Sequence, residues 1–539
     1  MKRAIFFPAI IFFSLLNASA QTSSMPQLVK RGHYTQLLVN GKPYLIFGGE
    51  LGNSSASSNA YMRPIWPKLK EMNLNTVIAP VYWELMEPAE GEFDFSLVDS
   101  LIENARLNNM KLVLLWFGSW KNSMSCYAPA WVKTNIERCP RVLTKDGVSE
   151  EILTPFNKNN LEADKKAFVK LMQHIKQVDD KQNTVIAIQV ENEIGMLGSA
   201  RSYDEAANAA FDKPVPGQLI NYLQKNKDSL TPEIDSIWKE NGFRTSGNWE
   251  NIFGKNLETE EIFTAWNYAR YVNEITTAGK SVYDLPMYVN TALNRPGWKP
   301  GQYPSGGPLP HLRDIWKAGA PEIDMLAPDI YFPDFQHWCD LYTRFSDPLF
   351  IPEIRFEKED AAKAFFAFGH YNCLSFSPFS IESTEHPEEE PIAKAYHILR
   401  QISPLITKYQ PEGKVSGFLL SKDSLSQSIT VGDYQLTVKH DFTLPWSSGS
   451  REGEWPLTGC TIIAVASNEF YVAGTGVVVS FKSTIHGKRA GILSVDDGSF
   501  EDGKWIAGRR MNGDQDNQGR YVRIPINDYD IQRVKLYQY

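Results

Sequence analysis

The chain has 539 residues, which is enough for two or three domains, one of barrel size with a smaller companion. Its net charge of −8 excludes the basic footprint that a nucleic-acid-binding protein needs, so we expect no nucleic-acid partner. Five cysteines are too few for a disulfide scaffold. Cys126 and Cys139 are close enough in sequence to staple one loop, and two free thiols are the alternative.

The first twenty residues predict export. They combine a basic start, an apolar stretch from Ala4 to Leu16 and the small residues Ala18, Ser19 and Ala20, which is typical of a cleavable secretory signal peptide. We therefore expect residues 1–20 to be removed and the protein to be secreted or periplasmic. The apolar stretch is too short for a comfortable membrane span, and no later run is long and charge-free enough to predict one.

Eight short apolar segments, separated by longer amphipathic ones, predict the main fold. They are residues 45–50, 76–84, 111–120, 184–193, 286–294, 322–331, 349–355 and 373–382. Most are almost continuously apolar, which is typical of parallel strands that are covered on both faces. Because helical patterns lie between them, we predict a (β/α)8 TIM barrel over residues 21–405, with an open doubly wound sheet as the alternative.

Two further regions have a different character. Residues 196–283 are too long for one strand-to-strand connection and predict an insertion after the fourth strand, on the side of a barrel that carries active sites. Residues 406–539 alternate apolar and polar residues with Gly, Asp and Asn between the runs, which predicts a C-terminal β-rich, sandwich-like domain.

Carboxylates stand where two of the predicted strands end. The fourth apolar segment finishes with Glu191, Asn192 and Glu193, and the seventh contains Glu353. A closed barrel would bring both strand ends to one rim, and two facing carboxyl groups are what the hydrolysis of a glycosidic bond requires. The alternative is that these glutamates only solvate the rim or pair with arginines such as Arg355. Strand periodicity cannot choose between residues 191 and 193, since both have the same parity.

Patterns typical of other enzyme classes are missing from the sequence. We find no H-E-x-x-H or paired-cysteine zinc pattern and no G-x-S-x-G nucleophile motif. We therefore expect no metal or other cofactor.

Two motifs resemble glycoside hydrolase family 35, the β-galactosidases. "QVENEIG" (189–195) is similar to the fourth-strand motif of that family, and "YWELMEPAEGEFDFS" (82–96) resembles its W-x-x-x-E-P-x-x-G-x-F-D-F pattern. The resemblance covers about residues 40–400. It implies that Glu193 is the general acid/base, that Asn192 bonds the sugar 2-hydroxyl, and that Glu353, in "IPEIRF", is the nucleophile.

Several further residues are candidates for contact with the sugar. Tyr331 could hydrogen-bond the nucleophile, with a packed aromatic as the alternative, while Asn290 and Glu50 could contact hydroxyl groups or simply line the rim. Trp83 and Glu84 belong to the second motif; Glu84 and Met86 stand where many relatives carry Asn and His, and Ile194 replaces a Tyr. Trp116 and Trp120 could stack on a ring, although core packing is the more ordinary role for Trp116.

The resemblance implies a retaining exo-β-galactosidase that acts on plant-type glycans, with xyloglucan side chains as a candidate substrate. The C-terminal region is similar to a module appended in a bacterial subgroup of the family. The alternatives are another retaining β-glycosidase, such as a β-glucosidase or β-mannosidase, an α-L-arabinosidase, or a non-catalytic carbohydrate-binding barrel. Nothing in the sequence indicates the oligomeric state.

Overall fold

The computed structural model describes residues 24–32, 34–447, 449–451 and 453–539. The predicted signal peptide, residues 1–20, lies outside the described residues. The strands of the first 409 residues are β1 (Gln27–Arg31), β2 (Tyr34–Val39), β3 (Lys42–Pro43), β4 (Ile46–Glu50), β5 (Thr76–Tyr82), β6 (Lys111–Lys121), β7 (Arg141–Leu143), β8 (Ser149–Leu153), β9 (Val185–Asn192), β10 (Met287–Ala292), β11 (Met325–Ile330), β12 (Phe350–Ile354) and β13 (Ser375–Pro378).

Eight of these strands close into a parallel barrel in the order β10-β11-β12-β13-β4-β5-β6-β9. Each of the eight predicted apolar segments contains one barrel strand, and almost every residue of these strands is buried. The continuous apolar runs thus reflect strands whose inner face fills the barrel and whose outer face meets helices. The TIM-barrel prediction is confirmed, and the open-sheet alternative is wrong because the sheet has no edge.

Helices surround the barrel and occupy its loops. They are α1 (Asn59–Met62), α2 (Ile65–Glu71), α3 (Trp83–Met86), α4 (Ser96–Leu107), α5 (Ala130–Lys133), α6 (Lys158–Asp179), α7 (Glu205–Phe211), α8 (Gly217–Lys225), α9 (Pro232–Glu240), α10 (Trp249–Phe253), α11 (Leu257–Val282), α12 (Arg313–Gly319), α13 (Phe335–Thr343), α14 (Asp360–His370) and α15 (Pro391–Tyr409).

The long helix α6 shows why such segments become helical and where they pack. Its apolar residues recur at helical spacing and are buried, and the side chain of Asn157 caps its first turn by accepting hydrogen bonds from the backbone N–H groups of Asn159 and Asn160. Between β9 and β10 the chain forms the helices α7 to α11. The last of these, α11, packs against α6, where Gly279 lies close to the ring of Phe168.

After α15 the chain forms two antiparallel sheets. Their strands are β14 (Val415–Leu420), β15 (Ser426–Val431), β16 (Tyr434–His440), β17 (Thr458–Ala466), β18 (Glu469–Thr475), β19 (Val477–Ser483), β20 (Ala490–Glu501), β21 (Lys504–Met511), β22 (Val522–Ile524) and β23 (Asp530–Gln538). One sheet has the order β14-β17-β18-β23-β20-β21 and the other β15-β16-β19-β22. A shared apolar core from both sheets makes this region a sandwich, as its alternating sequence predicts.

The second face of the six-stranded sheet packs on the barrel. Ile463, Tyr471 and Ala473 from this face belong to the same apolar cluster as the barrel core. At this contact the Thr461 hydroxyl donates to the carbonyl of Phe365 on α14 at 2.7 Å. The barrel and the sandwich therefore share a packed boundary through α14 and α15.

None of the helices in the described ranges is both long enough and apolar enough to cross a membrane. Cys126 is exposed, Cys139 is buried, and both are free thiols. The structure therefore has two free thiols at these positions and not a disulfide.

Candidate active site

Polar side chains cluster where the barrel strands end. Because the carboxyl ends of parallel strands meet at one mouth, residues far apart in sequence come together there. The buried polar residues at or just after these ends are Glu50, Lys121, Asn192, Glu193, Asn290, Asp329 and Glu353. Burial of so many ionisable groups costs free energy. Clusters of buried ionisable groups are typical of active sites.

Glu353, on β12, receives a hydrogen bond from the hydroxyl group of Tyr331 to its Oε1 atom. The other oxygen, Oε2, is buried and receives no hydrogen bond from the described residues. Burial raises the pKa of Glu353 to about 7, and the charge of Glu193 adds to this effect, whereas Lys121 and the Tyr331 hydrogen bond oppose it. The structure thus contains the hydrogen bond between Tyr331 and Glu353 that the sequence analysis considered.

Glu193 follows directly after β9 with its side chain beside a cation. The ammonium group of Lys121 lies 3.9 Å from Glu193 Oε2, and both side chains are only 6% exposed. The backbone N–H of Glu193 donates to Asn290 Oδ1 at 2.9 Å. The backbone is therefore held by β10 while the carboxyl group stands next to Lys121.

A chain of contacts joins the surroundings of the two glutamates. Asn290, which accepts from the backbone of Glu193, donates through Nδ2 to Asp329 Oδ2 at 2.7 Å. Asp329 is the direct neighbour of Glu353 in the register of β11 and β12. Burial, followed by the charges of Glu353, Glu193 and Glu50, raises the pKa of Asp329 well above its usual value. The geometry therefore brings residues 193 and 353 into one electrostatic cluster.

The structure separates Glu191 from Glu193, which strand parity could not do. Glu191 Oε2 accepts a hydrogen bond from the backbone N–H of Trp120 at 2.8 Å, and its pKa is raised by burial and by the nearby carboxylate of Asp164 on α6. Both glutamates have left-handed backbone angles, with φ of 61° and 45°. Left-handed residues interrupt the alternation of a strand, so equal parity does not give equal direction here.

The local backbone around this strand end is unusual for residues other than glycine. Directly after the neighbouring strand β6, Asn122 and Ser123 also have positive φ angles of 48° and 68°, and the pairing of β6 with β9 shifts between Trp116 and Lys121. Such conformations cost free energy and are concentrated at functional sites. This irregularity places Lys121 beside Glu193.

Asn192 is fully buried, and neither polar atom of its amide has a hydrogen-bond partner among the described residues. A buried amide normally finds partners, so this one is available to a ligand. Other buried polar atoms at this end of the barrel lack partners within the described part of the chain as well; they include Glu50 Oε1 and Oε2, Asp329 Oδ1, Glu353 Oε2 and the Tyr288 hydroxyl. The cluster therefore has spare hydrogen-bonding capacity.

Three of the predicted sugar contacts have other partners in the structure. Asn290 uses its amide to hold Glu193 and Asp329. Trp83 has no exposed surface, and its indole N–H donates to Glu87 Oε2 at 2.9 Å. Glu84 is half-buried and forms an ion pair with Lys133 at 3.6 Å. These contacts hold the three side chains in place, and their contact with a sugar stays a prediction.

Glu50, Trp116 and Trp120 are fully buried. Both side-chain oxygens of Glu50 lack a hydrogen-bond partner among the described residues, and burial, followed by the charge of Glu353, raises the pKa of Glu50 well above its usual value. Trp116 and Trp120 have no exposed surface; the indole N–H of Trp116 donates to Asp164 at 2.8 Å, and Trp120 packs between aromatic rings of α11. Neither indole offers a face to a sugar.

Sequence reasoning missed Lys121 and Asp329. Asp329 follows the apolar start of the sixth segment in the same way that Glu353 follows the start of the seventh, so the same argument would have found it. Lys121 comes directly after the aromatic end of the third segment. Its approach to Glu193 depends on the shifted pairing of β6 and β9, which no local pattern indicates.

Two family models match parts of the chain. Residues 57–257 match the model of glycoside hydrolase family 42, described as β-galactosidase, and residues 392–523 match a domain of unknown function, DUF5597. The first match contains Glu193 and ends before Glu353. The second covers α15 and most of the sandwich.

Two curated proteins are similar to the chain over part of its length. A β-galactosidase from Xanthomonas manihotis is 30% identical over 239 residues, which are 40% of this chain and 35% of that protein. The human β-galactosidase-1-like protein 3 is 31% identical over 182 residues, which are 32% of this chain and 24% of that protein. The matches thus span about a third and a quarter of the length of these relatives.

Among solved structures, the β-galactosidase from Bacillus circulans sp. alkalophilus is similar with a TM-score of 0.50 and 11% sequence identity, over 91% of this chain and 99% of that one. At this identity the likeness concerns the fold. The matching family model is that of family 42, whereas the sequence motifs resemble family 35. Both families are described as β-galactosidases. The barrel of this chain is thus related to glycoside hydrolases that are described as β-galactosidases.

Proposed function

We propose that the protein is an exported retaining exo-β-galactosidase that removes terminal β-D-galactosyl residues from plant-type glycans, with xyloglucan side chains as the substrate we favour. The observation that carries this proposal is the pair of buried carboxyl groups of Glu193 and Glu353, which interact electrostatically at the mouth of the barrel. Glycosidases of this type need two such carboxyl groups.

In the first step, Glu353 is the nucleophile and Glu193 the acid. A carboxylate oxygen of Glu353 forms a bond to the anomeric carbon while the bond from that carbon to the glycosidic oxygen breaks. The electron pair goes to the departing oxygen, which takes a proton from the carboxyl group of Glu193. The products are a galactosyl ester on Glu353 and a free hydroxyl group on the rest of the glycan.

In the second step, the roles of Glu193 and the ester reverse. A water molecule gives a proton to the carboxylate of Glu193 while its oxygen bonds to the anomeric carbon and the ester bond to Glu353 breaks. This restores both side chains and releases galactose with the configuration of the substrate. Two displacements at the same carbon are the reason for retention.

The surroundings of the two glutamates support this division of roles. Glu353 must be ionised to attack, and the hydroxyl group of Tyr331 together with the charge of Lys121 favours its ionised form. Once the nucleophile is ionised, its negative charge disfavours ionisation of a second nearby carboxyl group. Glu193 is the carboxyl group of this cluster that lies beside a cation, with its Oε2 atom 3.9 Å from the ammonium group of Lys121.

The galactose specificity and the finer family assignment rest on the sequence motifs. The match of residues 189–195 and 82–96 to family 35 supports membership in that family and a contact of Asn192 with the sugar 2-hydroxyl. The unpartnered amide of Asn192 agrees with such a contact, because hydrogen bonds to that hydroxyl strengthen in the transition state. The resemblance of the C-terminal region to the module of a bacterial subgroup supports a plant cell-wall substrate.

A panel of nitrophenyl glycosides tests the proposal. We expect release from the β-galactoside that exceeds release from the β-glucoside, β-mannoside and α-L-arabinoside, and loss of release in Glu353→Gln. Faster release from one of the other glycosides would overturn the choice of sugar. If none of the glycosides is hydrolysed and Glu353→Gln binds galactosides as well as the parent does, the barrel is a binding protein and the proposed catalysis is wrong.

A further inference from the structure

We propose that a groove between the barrel rim and the C-terminal sandwich binds the sugar units adjoining the galactose that is cleaved. The sandwich would then form part of the substrate site for a neutral, branched oligosaccharide. This inference rests on the proposed function, because it takes the terminal sugar to lie at Glu353.

The groove has two walls that come from different parts of the chain. The barrel wall consists of residues 330–336, at and after the end of β11, together with residues that follow β12 from Arg355 to Lys363. The sandwich wall consists of residues near the end of β14 and the start of β15, between Leu419 and Gln427, with Leu457. The enclosed volume of about 780 Å³ is within the range of ~300–1,000 Å³ that is usual for small-molecule sites.

The groove is continuous with the candidate active site through Tyr331. Its hydroxyl group donates to Glu353, and the same residue lines the groove. Arg355, two residues after Glu353, donates from Nη2 to the carbonyl of Tyr331 at 3.0 Å and also lines the groove. A glycan whose terminal unit contacts Glu353 therefore meets this groove with the units next to it.

The groove has side chains that suit sugar hydroxyl groups. Exposed Gln336 and Asp423 stand on opposite walls and offer amide and carboxylate groups. Phe332 adds an aromatic ring, and the guanidinium of Arg295 lies 5.9 Å from that ring and 4.6 Å from the ring of Trp298. The indole of Trp298 is 45% exposed, so an aromatic surface continues from the groove along the rim.

The charge of the groove favours binding of neutral glycans over acidic ones. Among the described residues that line it, the cations are Arg355 and Lys363, and Lys363 is already paired with Glu357 and Asp360. The carboxylates of Asp334, Glu357, Glu359 and Asp423 outnumber the cations. An acidic glycan would be repelled, and a neutral one would not.

The test compares a substrate that reaches the groove with one that does not. We would measure kcat/KM for a galactosylated xyloglucan oligosaccharide and for nitrophenyl β-galactoside, and take the ratio of the two. Asp423→Trp fills the groove from the sandwich wall, and Asp433→Trp is its matched control, since Asp433 is an exposed aspartate in the turn at the other end of β15.

We expect Asp423→Trp to lower the ratio at least tenfold and Asp433→Trp to leave it within twofold. If the parent hydrolyses both substrates and the ratio is unchanged in Asp423→Trp, the groove does not bind the adjoining sugar units. The proposed function would then remain intact. Failure of the parent to hydrolyse either substrate would instead overturn the proposed function. If Asp423→Trp does not fold, Gln336→Trp fills the groove from the barrel wall and is judged by the same ratio.

Discussion

The buried carboxyl groups of Glu50 and Glu353 interact electrostatically, although they belong to strands separated by β13. Burial, together with the charge of Glu353, raises the pKa of Glu50 well above its usual value. We therefore assign a proton to Glu50, which makes its carboxyl group available as a donor to the unpartnered Oε2 atom of Glu353.

Substitution of Glu50 tests this assignment. Glu50→Gln keeps a donor of similar shape, and we expect kcat/KM for nitrophenyl β-galactoside to fall less than tenfold. Glu50→Ala removes the donor from the nucleophile, and we expect a loss of about 100-fold, as for other donors to a reacting anion. Equal losses in the two variants would show that Glu50 does not act as a hydrogen-bond donor.

The pH dependence of the parent follows from the raised pKa of Glu353. Because only the ionised carboxylate attacks, kcat/KM should rise with pH through an acid limb near pH 7, well above the usual pKa of a glutamate. Lys121 lowers the pKa of Glu353, so Lys121→Met should move this limb to higher pH. Lys166→Met, at an exposed position of α6, is the control. An acid limb near pH 4.5 in the parent would contradict this electrostatic account.

The same burial predicts that Glu353→Gln is more stable than the parent in alkaline solution. A carboxyl group whose pKa is raised in the folded state gives stability below its unfolded pKa near 4.5 that is lost as the pH rises to about 7. The variant should thus gain stability at pH 8, by at most about 3 kcal/mol, and little at pH 5. The gain is measured as the difference in Tm at the two pH values.

The control for this stability prediction is Glu103→Gln on α4, where the glutamate is exposed. We expect its Tm to follow that of the parent at both pH values. A Tm of Glu353→Gln equal to that of the parent at pH 8 would mean that burial of the ionised Glu353 side chain does not lower the stability of the folded protein.

The contact between the barrel and the sandwich makes a separate prediction. A Cβ added at Gly417 on β14 would lie 2.5 Å from the carbonyl oxygen of Phe366 and 2.7 Å from the backbone nitrogen of His370. Backbone atoms cannot change rotamer to relieve the clash as a side chain can. Gly417→Ala should therefore lower the free energy of unfolding by about 1–3 kcal/mol. Gly217→Ala, where no atom lies within 4 Å, should have little effect. Equal Tm values for the two variants would contradict the close packing.

The fold was predictable from sequence because the signals were local and repeated. Each apolar segment that predicted a strand contains one, and barrel closure then brought Glu193 and Glu353 to one mouth. The contacts of individual side chains were less predictable. Left-handed backbone at residues 191 and 193 broke the parity argument, and tertiary packing buried Trp83. Lys121 became visible as a member of the site only once β6 and β9 were paired.

The most direct test of the central claim is to trap the covalent intermediate. A 2-deoxy-2-fluoro-β-D-galactosyl fluoride has a good leaving group but an electron-poor ring, so the galactosyl ester should accumulate and can be located by peptide mass spectrometry. We predict that the label lies on Glu353 and that Glu353→Gln is not labelled. A label on another residue such as Glu50, or hydrolysis without a covalent intermediate, would contradict the assignment of Glu353 as nucleophile.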